Sequence, residues 1–153
     1  MPARLLKEFL DSHGVKYETI PHTPAYTAQE IAATAHIPGK EMAKTVVVKL
    51  DGKMAMAVLP ACNQLSLERL RAATHAGRAE LAGEVEFKDR FPGCEIGAMP
   101  PFGNLFDMPV YVARKLVEDE EIAFNAGSHT EVVKMQYKDF ERLVHPQVVE
   151  MAM

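Results

Sequence analysis

The sequence is poor in cysteine and lacks the long apolar runs of a membrane protein. Its 153 residues include two cysteines, Cys62 and Cys94, which are too few for a disulfide framework. No apolar run approaches the roughly 20 residues that a bilayer-spanning helix needs. The N-terminal residues MPARLLKEFLDSHG carry an acidic residue early and no apolar h-region, unlike a signal peptide. These absences predict a cytoplasmic protein without a membrane partner.

Several common chemical motifs are also missing. The six histidines form no i, i+4 pair and no C-x-x-C occurs, so neither a metal site nor a metal cofactor is expected. The sequence contains no phosphate-binding G-x-x-x-x-G-K-[ST], no dinucleotide fingerprint and no G-x-S-x-G nucleophile elbow. Cys62 and Cys94 are the candidate cysteine nucleophiles, although a free cysteine is more often a small buried hydrophobe. We therefore expect no cofactor.

The net charge of −4 argues against a protein that coats nucleic acid by charge alone, and no DNA partner is expected. Two short stretches, residues 40–53 and 69–78, are nevertheless rich in basic side chains. They are either solvated faces or a local basic mouth that grips the end of a nucleic acid.

The chain length, with 48% apolar and 25% charged residues, predicts one globular domain over residues 1–153. The clearest signal is a hairpin, in which KTVVVKL and KMAMAVLP flank Asp51-Gly52. Helices are predicted over residues 3–13, after a Thr27–Glu30 capping box, after the N-cap Ser66, and near the C-terminus. About six strands and four or five helices alternate along the chain. We expect a mixed α/β fold whose mixed sheet is curved and barrel-like, with helices packed outside it.

Three features suggest a site. Lys44 precedes the apolar run TVVV, where a lysine can direct one compact charge at a phosphate or carbonyl, or simply be an edge lysine with its head in solvent. The stretch GAMPPFG, Gly97 to Gly103, is too rich in glycine and proline for a helix or strand. In FNAGSH, Gly127 permits a close approach of backbone to ligand and His129 can position a water, unless the segment is an ordinary turn.

The sequence resembles the YbaK family, also called prolyl-tRNA synthetase-associated or INS-type editing domains. The resemblance lies in the segments AKT, GAMPPFG, FNAGSH and KMQYKDF and in their order along the chain. The resemblance covers nearly the whole chain, and its most specific part is the G-x-x-x-P loop from Gly97 to Pro101. The resemblance implies a small mixed α/β domain that hydrolyses amino acids wrongly attached to tRNA. It also implies that Lys44 is needed for deacylation, that Gly97 and Pro101 enclose the aminoacyl ester, and that His129 assists catalysis.

The implied partners are the 3′ acceptor end of a mischarged tRNA and an aminoacyl-tRNA synthetase. The expected amino acid is small, such as Ala, Ser, Thr, Pro or Cys. Substrate-binding residues are expected around the same segments: Tyr26, Thr45, Val46, Met99, Pro100, Phe102, Gly103, Asn125, Gly127 and Ser128. Among these, Met99, Phe102 and Val46, together with Val47, are predicted to form the pocket wall. Two alternatives stay open, a non-catalytic module that binds tRNA or a synthetase, and a plain ligand-binding or oligomeric scaffold.

Overall fold

The computed structural model describes residues 4–21, 37, 39–91, 94, 98–128 and 130–152. Its helices are α1 (Arg4–Ser12), α2 (Leu67–Thr74), α3 (Glu84–Phe87), α4 (Arg114–Val117) and α5 (Tyr137–Val144). Its strands are β1 (Tyr17–Pro21), β2 (Ala43–Leu50), β3 (Lys53–Pro60), β4 (Ala79–Leu81), β5 (Val110–Ala113), β6 (Glu121–Asn125), β7 (Glu131–Gln136) and β8 (Gln147–Val149). Two 3₁₀ turns lie at Lys88–Arg90 and Gly103–Leu105.

The strands form two sheets. The larger has the order β4-β2-β3-β5-β8, with antiparallel pairs at β4-β2 and β2-β3 and parallel pairs at β3-β5 and β5-β8. The smaller is antiparallel, in the order β1-β7-β6. A parallel bridge between Met42 and Ala123 connects the two sheets, and the Ala123 amide donates to the carbonyl of Glu41 at 2.9 Å. β6 therefore lies beside the start of β2.

The β2–β3 hairpin forms as its sequence predicts. Asp51 and Gly52 both have positive φ angles, 52° and 84°, as a two-residue turn between right-twisted strands requires. The Asp51 carboxylate also accepts hydrogen bonds from the amides of Gly77 and Arg78, at 3.2 and 2.9 Å. The turn is thereby connected to the segment that leads into β4.

Side chains alternate between the two faces of β2, so its residues pack in different core clusters. Ala43 and Val47 pack in the main core together with the proline-rich segment and the helices α1 and α5, whereas Val48 packs in a second cluster against α2. Successive strand residues point to opposite faces. Lys44 therefore shares the face of Val48, and Thr45 shares the face of Val47.

Several predicted elements are confirmed. The first helix buries Leu6 and Leu10, and Ser66 caps α2 by accepting a hydrogen bond from the Arg69 amide at 3.2 Å. The strands β4 and β8 have only three residues each. The pattern of β8 and that of the one-turn helix α4 are too short for their periodicity to predict them. The Thr27–Glu30 capping box lies outside the described residues.

The mixed α/β class is confirmed, but the barrel-like description of the sheet is not, because the sheet is not closed. The described strands make two sheets joined through one bridge, and the larger sheet ends in the short strands β4 and β8. None of the helices in the described residues has both the length and the apolar character needed to span a bilayer.

Candidate functional site

The structure joins two segments that the sequence keeps about thirty residues apart. The amide of Gly127, just beyond β6, donates a hydrogen bond to the carbonyl of Ala98 at 2.9 Å. We call residues 98–103 the proline loop. Gly127 has a φ of 100°, which side chains other than glycine rarely adopt. A backbone hydrogen bond thus attaches the start of the loop to the residues just beyond β6.

Gly103 fixes the other end of the proline loop. A Cβ atom at this position would lie 2.2 Å from the carbonyl oxygen of Met108 and 2.6 Å from a methyl group of Val110. The carbonyl of Gly103 accepts hydrogen bonds from the amides of Phe106 and Met108, both at 2.9 Å. The sequence predicted that Gly103 contacts substrate. In the structure, the Met108 backbone and the Val110 side chain fill the space beside its Cα, so Gly103 allows the loop to pack closely, and its contact with substrate stays a prediction.

Phe102 supports the loop from inside the core. Its ring is fully buried and contacts Phe124, Phe140 and Phe9, with centroids 5.5, 5.4 and 6.0 Å apart. Met99 is also buried in this cluster. Both were expected to form a pocket wall. The packing leaves Phe102 without an exposed surface and makes it an anchor of the loop, and its place in a pocket wall stays a prediction.

Pro100 and Pro101 are buried as well. Proline fixes φ and has no N–H, so these two residues stiffen the loop and cannot donate backbone hydrogen bonds. Any donors that the loop offers to a ligand must come from its other residues. Gly97, the first residue of the predicted G-x-x-x-P motif, lies outside the described residues.

Lys44 lies near the start of β2, opposite Leu59 of β3, and is partly buried. Burial lowers the pKa of Lys44, because the charged form loses solvation, and the nearby Cys62 thiol partly opposes this shift. No acidic partner of Lys44 occurs among the ion pairs of the described residues. A partly desolvated cation of this kind interacts strongly with an approaching phosphate or carbonyl oxygen.

The predicted neighbours of Lys44 on β2 do not all share its face. Val46 does, because it lies two residues further along the strand, but Thr45 and Val47 point to the opposite face. Val47 is buried in the main core. Val46 and Val47 therefore cannot line one pocket, and of the two only Val46 stays beside Lys44. Thr45 is half-buried on the core side.

Asn125 ends β6 and is 8% exposed. Within the described part of the chain, its side-chain oxygen Oδ1 is buried without a hydrogen-bond partner. Its antiparallel partner Val132 and its strand neighbour Ala123 pack in one cluster with Met42. Asn125 and Lys44 each lie two residues beyond the Met42–Ala123 bridge. Residues in register on parallel strands point to the same face, so both side chains emerge on one face.

Ser128 closes a small turn beyond Gly127. Its hydroxyl lies 3.3 Å from that of Thr130 and accepts a hydrogen bond from the Thr130 amide at 3.4 Å. The structure thus gives Ser128 a local role in shaping the connection between β6 and β7. His129 itself, like Tyr26, lies outside the described residues, so the roles predicted for these two side chains stay predictions.

Catalysis by a cysteine nucleophile or by a metal ion finds limited support in the described residues. Burial raises the pKa of the Cys94 thiol, which disfavours the reactive thiolate. Cys62 is exposed and close to Lys44, a proximity that the sequence did not reveal. No three His, Cys, Asp or Glu side chains are grouped to hold a metal ion in the part of the chain that the structure describes.

The arrangement is that of a small α/β domain in which β6 borders the start of β2, the strand of the partly buried Lys44, and holds the proline loop through Gly127. The model of the family described as aminoacyl-tRNA editing domain matches residues 22–143. The chain therefore belongs to the aminoacyl-tRNA editing domain family. The matched range includes Lys44, the proline loop and the turn after β6.

Individual relatives agree with this assignment. The chain is 34% identical over 154 aligned residues to the multifunctional Ser/Thr-tRNA deacylase ProXp-y of Escherichia coli K12, covering 96% of this chain and 87% of the relative. The same match is found with the protein from Escherichia coli O157:H7. A crystal structure of a protein assigned as a trans-editing enzyme for prolyl-tRNA synthetase superposes with a TM-score of 0.83 at 21% identity, covering 99% of this chain and 97% of that one. A hypothetical protein of known structure gives 0.85 at 18% identity, covering 97% and 99%.

Proposed function

We propose that this protein is a free-standing aminoacyl-tRNA deacylase, which hydrolyses the ester of a small amino acid on a mischarged tRNA. The observation that carries this proposal is the hydrogen bond from Gly127 to Ala98, because it holds the proline loop against β6, the strand that also borders the start of β2 and Lys44. Membership of the editing family and the Ser/Thr-tRNA deacylase among its relatives support the substrate class.

The proposed substrate is the single-stranded 3′ end of a tRNA. Proteins recognise such ends by stacking and by contacts to phosphate and ribose hydroxyls. Lys44 offers three donors and one positive charge, and we assign it to the ester carbonyl or to the terminal phosphate. Because Lys44 is partly desolvated, its interaction with a developing negative charge is stronger than it would be in bulk water.

The reaction adds the oxygen of a water molecule to the ester carbonyl carbon. The bond between this carbon and the ribose oxygen then breaks, and the ribose oxygen takes a proton that the water releases. The products are the free amino acid and the uncharged tRNA. An ester is more reactive than an amide, so this step needs no covalent enzyme intermediate.

The proline loop is proposed to stabilise the tetrahedral intermediate. Preorganised backbone N–H groups contribute roughly 3 kcal/mol per donor to such a transition state. Pro100 and Pro101 keep the loop rigid, and its attachment at Gly127 and Gly103 reduces the reorganisation needed during the reaction. Gly97 and His129 complete the proposed site, with His129 positioning the water or the ribose hydroxyl.

An editing activity is useful because a synthetase pocket separates amino acids by only about 1–3 kcal/mol per methylene. A second enzyme that accepts only small products removes the resulting errors. A solved structure assigned to prolyl-tRNA synthetase editing suggests that a synthetase is a transient partner, and translation would place the protein in the cytoplasm. If so, adding the synthetase should raise the deacylation rate at subsaturating tRNA.

The test is release of labelled amino acid from Ala-, Ser-, Thr-, Cys- and Pro-tRNA by the wild type and by Lys44→Ala. We expect wild-type turnover of one or more esters and a loss of about 10²- to 10³-fold in Lys44→Ala. Lys53→Ala is the matched control, because Lys53 is exposed at the far end of the same hairpin. Absence of wild-type turnover would favour the binding module instead, and full activity in Lys44→Ala would remove Lys44 from the mechanism.

A further inference from the structure

The unpartnered oxygen of Asn125 is the strongest unused feature of the site. Its side chain is more than nine-tenths buried, and Oδ1 has no hydrogen-bond partner within the described residues. A buried acceptor without a donor is costly, and most such groups in native proteins are satisfied. An acceptor left free beside a proposed substrate site therefore indicates a donor that arrives with the ligand.

Asn125 lies close, in sequence and in strand position, to the residues assigned to the reacting ester. Asn125 immediately precedes Ala126 and Gly127, and the Gly127 amide holds the proline loop. Its side chain also emerges on the same face as Lys44, two residues beyond the same bridge. Asn125 is thus two residues before the residue that holds the proline loop, and its strand position corresponds to that of the lysine assigned to the ester.

We infer that Asn125 determines specificity, with its Oδ1 accepting a hydrogen bond from the side-chain hydroxyl of a seryl or threonyl group. This inference rests on the proposed deacylase function, for which a Ser/Thr-tRNA deacylase is among the relatives, and adds the residue that recognises the substrate side chain. A site built around a buried polar group discriminates strongly against an analogue that leaves the group unpaired. Alanyl and valyl esters are such analogues of the seryl and threonyl esters.

A hydroxyl fits this site better than the α-ammonium group, the other donor on the aminoacyl moiety. Burial already disfavours the charged form of Lys44, so a second cation beside it would add like-charge repulsion and a further loss of solvation. A neutral hydroxyl supplies the missing donor without either cost. The apolar neighbours of Asn125 on this face, Met42 and Val132, offer no competing hydrogen bond.

The experiment compares kcat/KM for seryl, alanyl, threonyl and valyl esters on one tRNA, so that only the side chain varies. Threonine and valine are nearly isosteric, which isolates the hydroxyl. We expect the wild type to prefer the hydroxylated member of each pair, and Asn125→Leu to lose this preference by about 10- to 100-fold. Asn125→Asp keeps an acceptor oxygen and should retain the preference for the hydroxylated ester. Asn104→Ala, at an exposed asparagine in the neighbouring 3₁₀ turn, is the matched control.

Each outcome separates the inference from the function on which it rests. An equal loss on all four esters would assign Asn125 to the shared α-amino or ester group and overturn the inference. Unchanged ratios in Asn125→Leu would overturn it as well, while wild-type turnover would still support the deacylase. No wild-type turnover on any ester would overturn both.

A wild-type binding measurement covers the case in which the Asn125 variants fail to fold. Non-hydrolysable 3′-amide analogues of seryl- and alanyl-adenosine are titrated into the unmodified protein. Tighter binding of the seryl analogue by about tenfold is expected, and equal affinity would overturn the inference.

Discussion

The amide of Gly127 lies 2.9 Å from the carbonyl oxygen of Ala98, and this contact connects two loops that carry little side-chain chemistry. It explains why a stretch rich in proline and glycine can act in a site. Prolines limit the conformations of the loop, and Gly127 adopts the positive φ angle that brings its N–H into place. The backbone of both segments is therefore fixed before any substrate arrives.

Replacing Gly127 with alanine should damage both stability and activity. A Cβ atom disfavours the φ of 100° at this position, at a cost of about 1–3 kcal/mol in the free energy of unfolding. We expect kcat/KM for deacylation to fall by at least tenfold, because the loop loses its attachment. Gly52→Ala is the control, since Gly52 also has a positive φ of 84° but lies in the hairpin turn. Urea denaturation and kinetics of both variants should show similar destabilisation but an activity loss only in Gly127→Ala.

Gly103→Ala should lower stability more than a typical glycine substitution. The new Cβ atom would meet the Met108 carbonyl at 2.2 Å, a backbone atom that cannot rotate away, and overpacking of this kind costs about 1–3 kcal/mol or more. Gly83→Ala provides the comparison, because its nearest contact is the flexible end of Glu86 at 3.3 Å. Thermal unfolding should show a clearly lower Tm for Gly103→Ala. Equal Tm values for the two variants would contradict the packing role of Gly103.

Lys44→Met should stabilise the protein at neutral pH while it lowers activity as strongly as Lys44→Ala. Burial lowers the pKa of Lys44 below its ordinary value of 10.5, so below that lowered pKa the folded state carries the full cost of a desolvated charge. As pH rises from the lowered pKa to 10.5, the unfolded state binds more protons, and wild-type stability increases relative to the variant. The advantage of Lys44→Met, measured by denaturation, should therefore be greatest at pH 7 and vanish above 10.5. A less stable variant at pH 7 would contradict this account.

Asp119→Asn should also stabilise the protein near neutral pH. Burial, reinforced by the carboxylates of Glu41 and Glu118 and opposed by Lys40, raises the pKa of Asp119 from 3.8 to about 6. Because the folded state holds this proton more tightly, wild-type stability falls as pH rises from 3.8 to about 6. Allowing for solvent screening, we expect a gain of about 1 kcal/mol for the variant above that range.

Denaturation curves at about pH 4 and pH 7.5 test this expectation, since the gain should appear mainly at the higher pH. The exposed Asp89 supplies the control variant Asp89→Asn, which should change little. A gain for Asp119→Asn that is the same at both pH values would point to a cause other than titration.

Local sequence patterns were sufficient to predict the longer helices and strands. The Asp51-Gly52 turn, the Ser66 cap and the first and last helices all depend on residues close together in the sequence, and each is confirmed. The short strand β8 depends on neighbours far along the chain. The edges of the sheet, and hence its lack of closure, were not predictable from local patterns for the same reason.

By itself, the sequence determined the α/β class, the hairpin and the residue types from which a lysine-and-loop site is proposed, because propensity and alternation act over a few residues. Only the tertiary structure decided which of these residues face each other. The Met42–Ala123 bridge sets the strand faces, so Lys44 and Asn125 emerge together while Val47 turns into the core. Packing around the Phe102 ring likewise makes it an anchor of the loop. Such choices depend on contacts between distant segments, which no local pattern encodes.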